Sequence, residues 1–137
     1  MKGLLVAALA LGVAAYSAGC GPAKYPLVGT WQMVFPAEAP ADESLGQRPG
    51  MGTKVLNQTH FAFGLVMPDG TILAGGGRYK FDGSTYTEII EYHFNPDLVG
   101  KSINFRCILE GDKWFHSGTL ESDGGRYQLN EVWQRIK

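Results

Sequence analysis

The sequence predicts an all-β protein: an eight-stranded, up-and-down antiparallel β-barrel. Three observations predict it. From Thr53 onward the chain is a succession of runs rich in Val, Ile, Thr, Tyr, Phe and Trp, the side chains that pack best on a pleated surface. Turn signals separate these runs, at Pro68-Asp69-Gly70, Asp82-Gly83, Gly111-Asp112 and Asp123-Gly124, and each suits a tight hairpin. The chain has 137 residues and 18% charged residues, the length of one domain and too little charge for a disordered chain. Successive hairpins favour a meander that closes on itself and loses its edges. A sandwich would need Greek-key crossovers.

The elements follow in order. Leu27 to Phe35 is the first strand. Pro36 to Gly52 holds three Pro and three Gly with no apolar period, and is expected to be a long loop over the barrel mouth. Thr53 to Asn57, Thr59 to Met67, Thr71 to Phe81 and Ser84 to Phe94 are strands two to five. Asn95 to Gly100 is a longer connection with room for one helical turn. Lys101 to Glu110, Lys113 to Glu121 and Arg126 to Ile136 complete the eight.

Residues 1–19 read as an export signal. Lys2 is the positive start, Leu4 to Val13 the apolar run, and Ser17-Ala18-Gly19 the small residues before Cys20. The 17 residues from Gly3 to Gly19 are short for a permanent membrane span. Ser17-Ala18-Gly19-Cys20 resembles the bacterial lipobox, with Ser17 where an aliphatic residue is usual. That resemblance implies a lipidated Cys20 that attaches the exported protein to a membrane surface, periplasmic or at the cell surface. Ordinary cleavage, giving a soluble secreted protein, is the alternative. Residues 20–26 would be a tether and 27–137 the barrel domain. Without Lys2 the net charge moves from −1 to −2, which argues against nucleic acid as a partner. Cys107 then has no disulfide partner in the chain and is expected as a buried, small apolar side chain.

Hairpin arithmetic predicts which side chains face inward. Pairing Met67 with Thr71 across Pro68-Asp69-Gly70 sets Phe63 against Gly75 and Phe61 against Gly77, aromatics over glycines. A two-residue turn at Asp82-Gly83 pairs Phe81 with Ser84 and Tyr79 with Tyr86. Glu88, Ile90 and Tyr92 then join the inner face, while Glu91 and His93 face out. Gly111-Asp112 pairs Glu110 with Lys113, and Asp123-Gly124 pairs Glu121 with Arg126. Both are opposite-charge pairs on the solvent side. Counting inward, Cys107 meets His116, His116 meets Glu131, and Trp114 meets Trp133. Phe105 shares this inner face.

Leu27-Val28-Gly29-Thr30-Trp31 ahead of an eight-strand meander resembles the lipocalin, or calycin, superfamily. That resemblance implies structural roles for Gly29 and Trp31, and for Arg135 stacking on Trp31 at the closed end. A closer resemblance covers most of the chain after residue 19. His60-Phe61, Gly75-Gly76-Gly77-Arg78-Tyr79, Tyr86-Thr87-Glu88, Glu91-Tyr92 and Gly111-Asp112-Lys113-Trp114-Phe115-His116-Ser117-Gly118 are similar to a family of small exported bacterial lipocalin-like proteins and lipoproteins of unassigned function. It implies fold and export, and carries over no ligand or reaction.

His116 opposite Glu131 suits a charge-assisted hydrogen bond that orients a polar head group. A self-satisfied pair that only holds the register is the competing reading. Glu88 among Tyr79, Tyr86 and Tyr92 has the same two readings. Ionisable groups inside a small barrel are costly, and a cavity would account for them. His60, His93 and His116 lie on different strands without a ligand spacing, so no metal and no cofactor is expected. There is no nucleophile elbow, phosphate loop or dinucleotide fingerprint. The expected function is therefore non-catalytic: a small, partly apolar ligand held by Phe61, Phe63, Tyr79, Tyr86, Glu88, Tyr92, Phe105, Trp114, His116 and Glu131. The alternative is a filled core whose outer face, with Ile89 and Phe115, docks a partner in the cell envelope. An enzyme relying on His116 and Glu131 is the third reading.

Overall fold

The computed structural model describes residues 24–34, 52–67 and 69–137. The export segment, Cys20 and the Pro36 to Met51 part of the expected mouth loop lie outside the described residues. Eight strands close into one antiparallel barrel in chain order: β1 (Gly29–Val34), β2 (Gly52–Leu56), β3 (His60–Val66), β4 (Ile72–Phe81), β5 (Thr85–His93), β6 (Ser102–Glu110), β7 (Lys113–Ser122) and β8 (Gly125–Ile136). β1 closes the ring on β8, with Trp31 opposite Arg135 and Met33 opposite Trp133. A single 3₁₀ turn, Pro96–Leu98, joins β5 to β6. The Asn95 side chain caps it by accepting from Asp97 N–H at 3.0 Å.

Three hairpins take the expected registers. Met67 N–H donates to Thr71 O, Phe63 stands opposite Gly75 and Phe61 opposite Gly77. Glu110 meets Lys113, and His116 meets Glu131 with Trp114 against Trp133. At the fourth hairpin the turn is wider than expected. Phe81 pairs with Tyr86 rather than Ser84, and Tyr79 with Glu88 rather than Tyr86. Asp82 causes this. Its carboxylate accepts Ser84 N–H at 2.9 Å and Thr85 N–H at 2.7 Å, so the loop closes around that side chain. The slip is two residues, which preserves the inner face.

A second departure does invert side chains. The register shifts between Gly76 and Gly77, where Gly76 faces Tyr92 but Gly77 faces Ile90. Glu91 is thus an extra residue, a bulge, and the parity of β5 reverses beyond it. Tyr92 consequently points outward and is 52% exposed, while His93 turns inward. Both placements are the reverse of the sequence expectation. Glycine permits the bulge: a side chain on Gly77 would collide with Ile89 O and Glu91 N.

The closed end is dry and aromatic. Leu27, Trp31, Trp114 and Trp133 are buried to about the last per cent of their surface. Trp31 and Trp114 meet edge to face at 5.5 Å. Trp31 Nε1 donates to Leu27 O at 2.9 Å. The Arg135 guanidinium stacks 4.1 Å above Trp31 and donates to Val28 O and Pro26 O. These bonds tie residues 26–28 across the base of the barrel.

Candidate functional site

Above that base lies a cavity of about 430 Å³, within the range of small-molecule sites. It opens where β3 meets β4, β5 meets β6 and β7 meets β8, with Val66, Phe94 and Tyr127 at the rim. Val34 and Gly52, which flank residues 35–51, belong to the same end. Leu73, Ile90, Leu98, Leu120 and Leu129 give the wall an apolar character. Gly75 and Gly118 make room for it. Cβ atoms there would meet the rings of Phe63 and Phe105 at 2.6 Å, so these aromatics can lie flat against the sheet.

One ion pair and one carboxylate–imidazole pair form the polar floor. Lys54 on β2 is 3% exposed, and its Nζ donates to Glu88 Oε1 at 3.1 Å. The ammonium also sits within a cage of rings. It is 5.1 Å from the Trp114 and Trp133 centroids and 5.6–5.9 Å from Tyr86, Phe61 and Phe63. Ring faces and one carboxylate replace the water that a lysine would lose on burial.

The second pair is His116 Nδ1 with Glu131 Oε2 at 3.1 Å. Trp133 Nε1 donates to the same oxygen at 2.9 Å. Burial, reinforced by the Lys54 charge, holds His116 below its ordinary value of 6.5 against the pull of Glu131. For Glu131 burial acts upward, but the His116 bond and the Lys54 charge outweigh it and the carboxyl lies below 4.5. Near neutral pH the pair is therefore imidazole and carboxylate. A carboxylate only accepts, so chemistry assigns the imidazole hydrogen to Nδ1. Nε2 is left as a lone-pair acceptor, buried and without a partner. Among the described residues nothing bonds Glu131 Oε1, and the side chain, 18% exposed, lines the cavity.

The expected site residues separate into three groups. Phe63, Glu88, Phe105, His116 and Glu131 line the cavity. Phe61, Tyr86 and Trp114 are packed beneath it as core, and Tyr79 donates its hydroxyl to Asn57 O at 2.7 Å at the closed end. Tyr92 lies outside, over Gly76. The Tyr86 hydroxyl lies beside Glu88 without a hydrogen bond, and burial followed by the Glu88 charge pushes it well above the ordinary tyrosine range. Cys107 is buried, and desolvation pushes its thiol up to about 12. Among the described residues no three His, Cys, Asp or Glu side chains converge as a metal site requires.

Sequence reasoning missed Lys54 and His93. The signal for Lys54 was present across the sheet: Leu56 pairs with Phe61 and Lys54 with Phe63, so the inward phenylalanines carry Lys54 inward with them. For His93 only the bulge decides, and nothing local announces it beyond the consecutive glycines opposite.

Residues 26–137 match the family described as a domain of unknown function, DUF4488. No curated protein matches the chain.

Proposed function

The chain belongs to the DUF4488 family, and on that premise we propose that its barrel is a carrier or sensor that holds one small, partly apolar molecule. One observation carries this: an apolar cavity of about 430 Å³ whose floor holds a buried histidine with an unpartnered nitrogen. A buried unpaired acceptor is costly, and a ligand donor entering the adjoining cavity would satisfy it. We further propose that the fold is of the lipocalin-like, calycin type. The Arg135–Trp31 stack across a Gly29-x-Trp31 opening supports that kinship. The N-terminal sequence supports export with a lipid on Cys20, which would attach the protein to a membrane. Binding rather than catalysis is the proposed role, because the one thiol near the floor, Cys107, stays protonated.

Native mass spectrometry of the purified chain, with titration of a lipophilic fluorescent dye, tests the binding role. A co-purified small molecule, or dye fluorescence saturating at one per chain, is expected. An empty barrel that leaves every dye unresponsive overturns it.

A further inference from the structure

Among the described residues, the charges around the cavity do not balance. These residues place three charged side chains in its lining, one cation (Lys54) and two anions (Glu88 and Glu131). Lys54 and Glu88 are committed to each other at 3.1 Å. Among the described residues Glu131 is bonded to no cation: its contacts are a neutral imidazole and an indole N–H, and the Lys54 charge acts on it only from a distance. Its Oε1 takes no bond from the described residues, and the side chain lines the cavity. His116 Nε2, in the tautomer that Glu131 imposes, is a second unpartnered acceptor. Glu131 Oε1 and His116 Nε2 thus offer acceptors beside each other at the floor, and the described charged side chains of the lining sum to one negative charge.

We propose that the cavity takes a protonated primary amine carrying an apolar tail, its ammonium bonded to Glu131 Oε1 and its tail against the leucine wall. This deepens the binding reading above and rests on it. The interior already shows that it can hold such a head group. The Lys54 side chain is itself an alkylammonium, stabilised in the same barrel by one carboxylate and several ring faces. A second ammonium supplies Glu131 with the counter-charge it lacks, through a charge-assisted bond in a low-dielectric setting. A carboxylate ligand of equal length would enter against the Glu131 charge, and the described cation of the lining, Lys54, is already bonded to Glu88. A neutral alcohol satisfies one acceptor and neutralises nothing.

Isothermal titration of the full chain with n-octylamine, 1-octanol and octanoate at neutral pH separates these cases. The amine is protonated there, as a lysine side chain would be. Octylamine is expected to bind about tenfold or more tightly than octanoate, with octanol between them. Glu131→Gln keeps an oxygen for His116 and Trp133 while removing the charge. It should cost octylamine about tenfold and leave octanol within about threefold. Octanoate binding as well as octylamine overturns the amine assignment while leaving a binding barrel in place. Amine preference surviving in Glu131→Gln overturns the role of Glu131. No binding of any of the three overturns the binding reading as well. If Glu131→Gln fails to fold, as a thermal melt would show, the comparison of head groups on the native chain still decides.

Discussion

The two ends of the barrel solve opposite problems with similar residues. At the base, Arg135 stacks on Trp31 and spends its donors on the Val28 and Pro26 carbonyls, and the Trp31 indole N–H finds Leu27 O. At the cavity floor, Lys54 lies among Trp114, Trp133 and Tyr86 with Glu88 as its counter-ion. There His116 Nε2 and Glu131 Oε1 take no hydrogen bond from the described residues. The same aromatic–cation chemistry closes one end and leaves acceptors open at the other. At the base, Arg135 and Trp31 spend their donors on backbone carbonyls, whereas the floor keeps acceptors that a ligand can satisfy.

Removing the base should have the largest effect. Trp31→Ala deletes a fully buried indole and is expected to lower stability by about 3–5 kcal/mol, read as a shift in the urea midpoint. The contrast between the ends would be broken if this variant were no less stable than one altered at the floor. Next comes the Lys54–Glu88 pair. Lys54→Met leaves Glu88 buried and uncompensated, at a cost of about 3 kcal/mol. The cost should sit at the low end of that range because Glu88 reaches the cavity. Adding Glu88→Leu should restore most of the loss. A double variant no better than the single would mean that the ammonium is held by the rings rather than by the carboxylate.

Acid sharpens the comparison further. His116 lies below 6.5 and Glu131 below 4.5 in the folded chain, so at low pH the unfolded chain binds more protons than the folded one. Stability contributed by the floor is then fully present above those ordinary values and is lost as pH falls below them, through the lower folded-state values. Thermal melts from about pH 7 to pH 4 should show a progressive drop. His116→Phe should flatten the upper part of that drop. The smallest effect concerns Cys107. With its thiol pushed up to about 12 and buried, it should resist iodoacetamide in the folded chain and react on denaturation. Rapid labelling of the folded protein would mean that the floor opens.

Much of this was legible in the sequence, for a local reason. Glu110 and Lys113, and Glu121 and Arg126, flank two-residue turns. Each opposite-charge pair therefore placed its hairpin face correctly and brought His116 against Glu131 and Trp114 against Trp133. Strand alternation carried Glu88 inward in the same way. Lys54 was not legible alone, because Val55 and Leu56 are both apolar and leave the parity of β2 undecided. Tyr92 and His93 exchanged faces because one extra residue at Glu91 reverses everything beyond it, and that extra residue fits only where Gly77 lies across the sheet.

The sequence by itself determined the class of fold, the number of strands, the places of four hairpins and the register of three of them. Turn chemistry and a two-residue period act within a dozen residues, so neighbours in the chain settle them. Only the tertiary structure decided that a lysine from β2 lies among rings from β3, β5, β7 and β8, and that a cavity with unpaired acceptors remains above it. Burying an ammonium is unfavourable on any single strand. It becomes favourable when closure of the barrel brings a distant carboxylate and those rings around it at once.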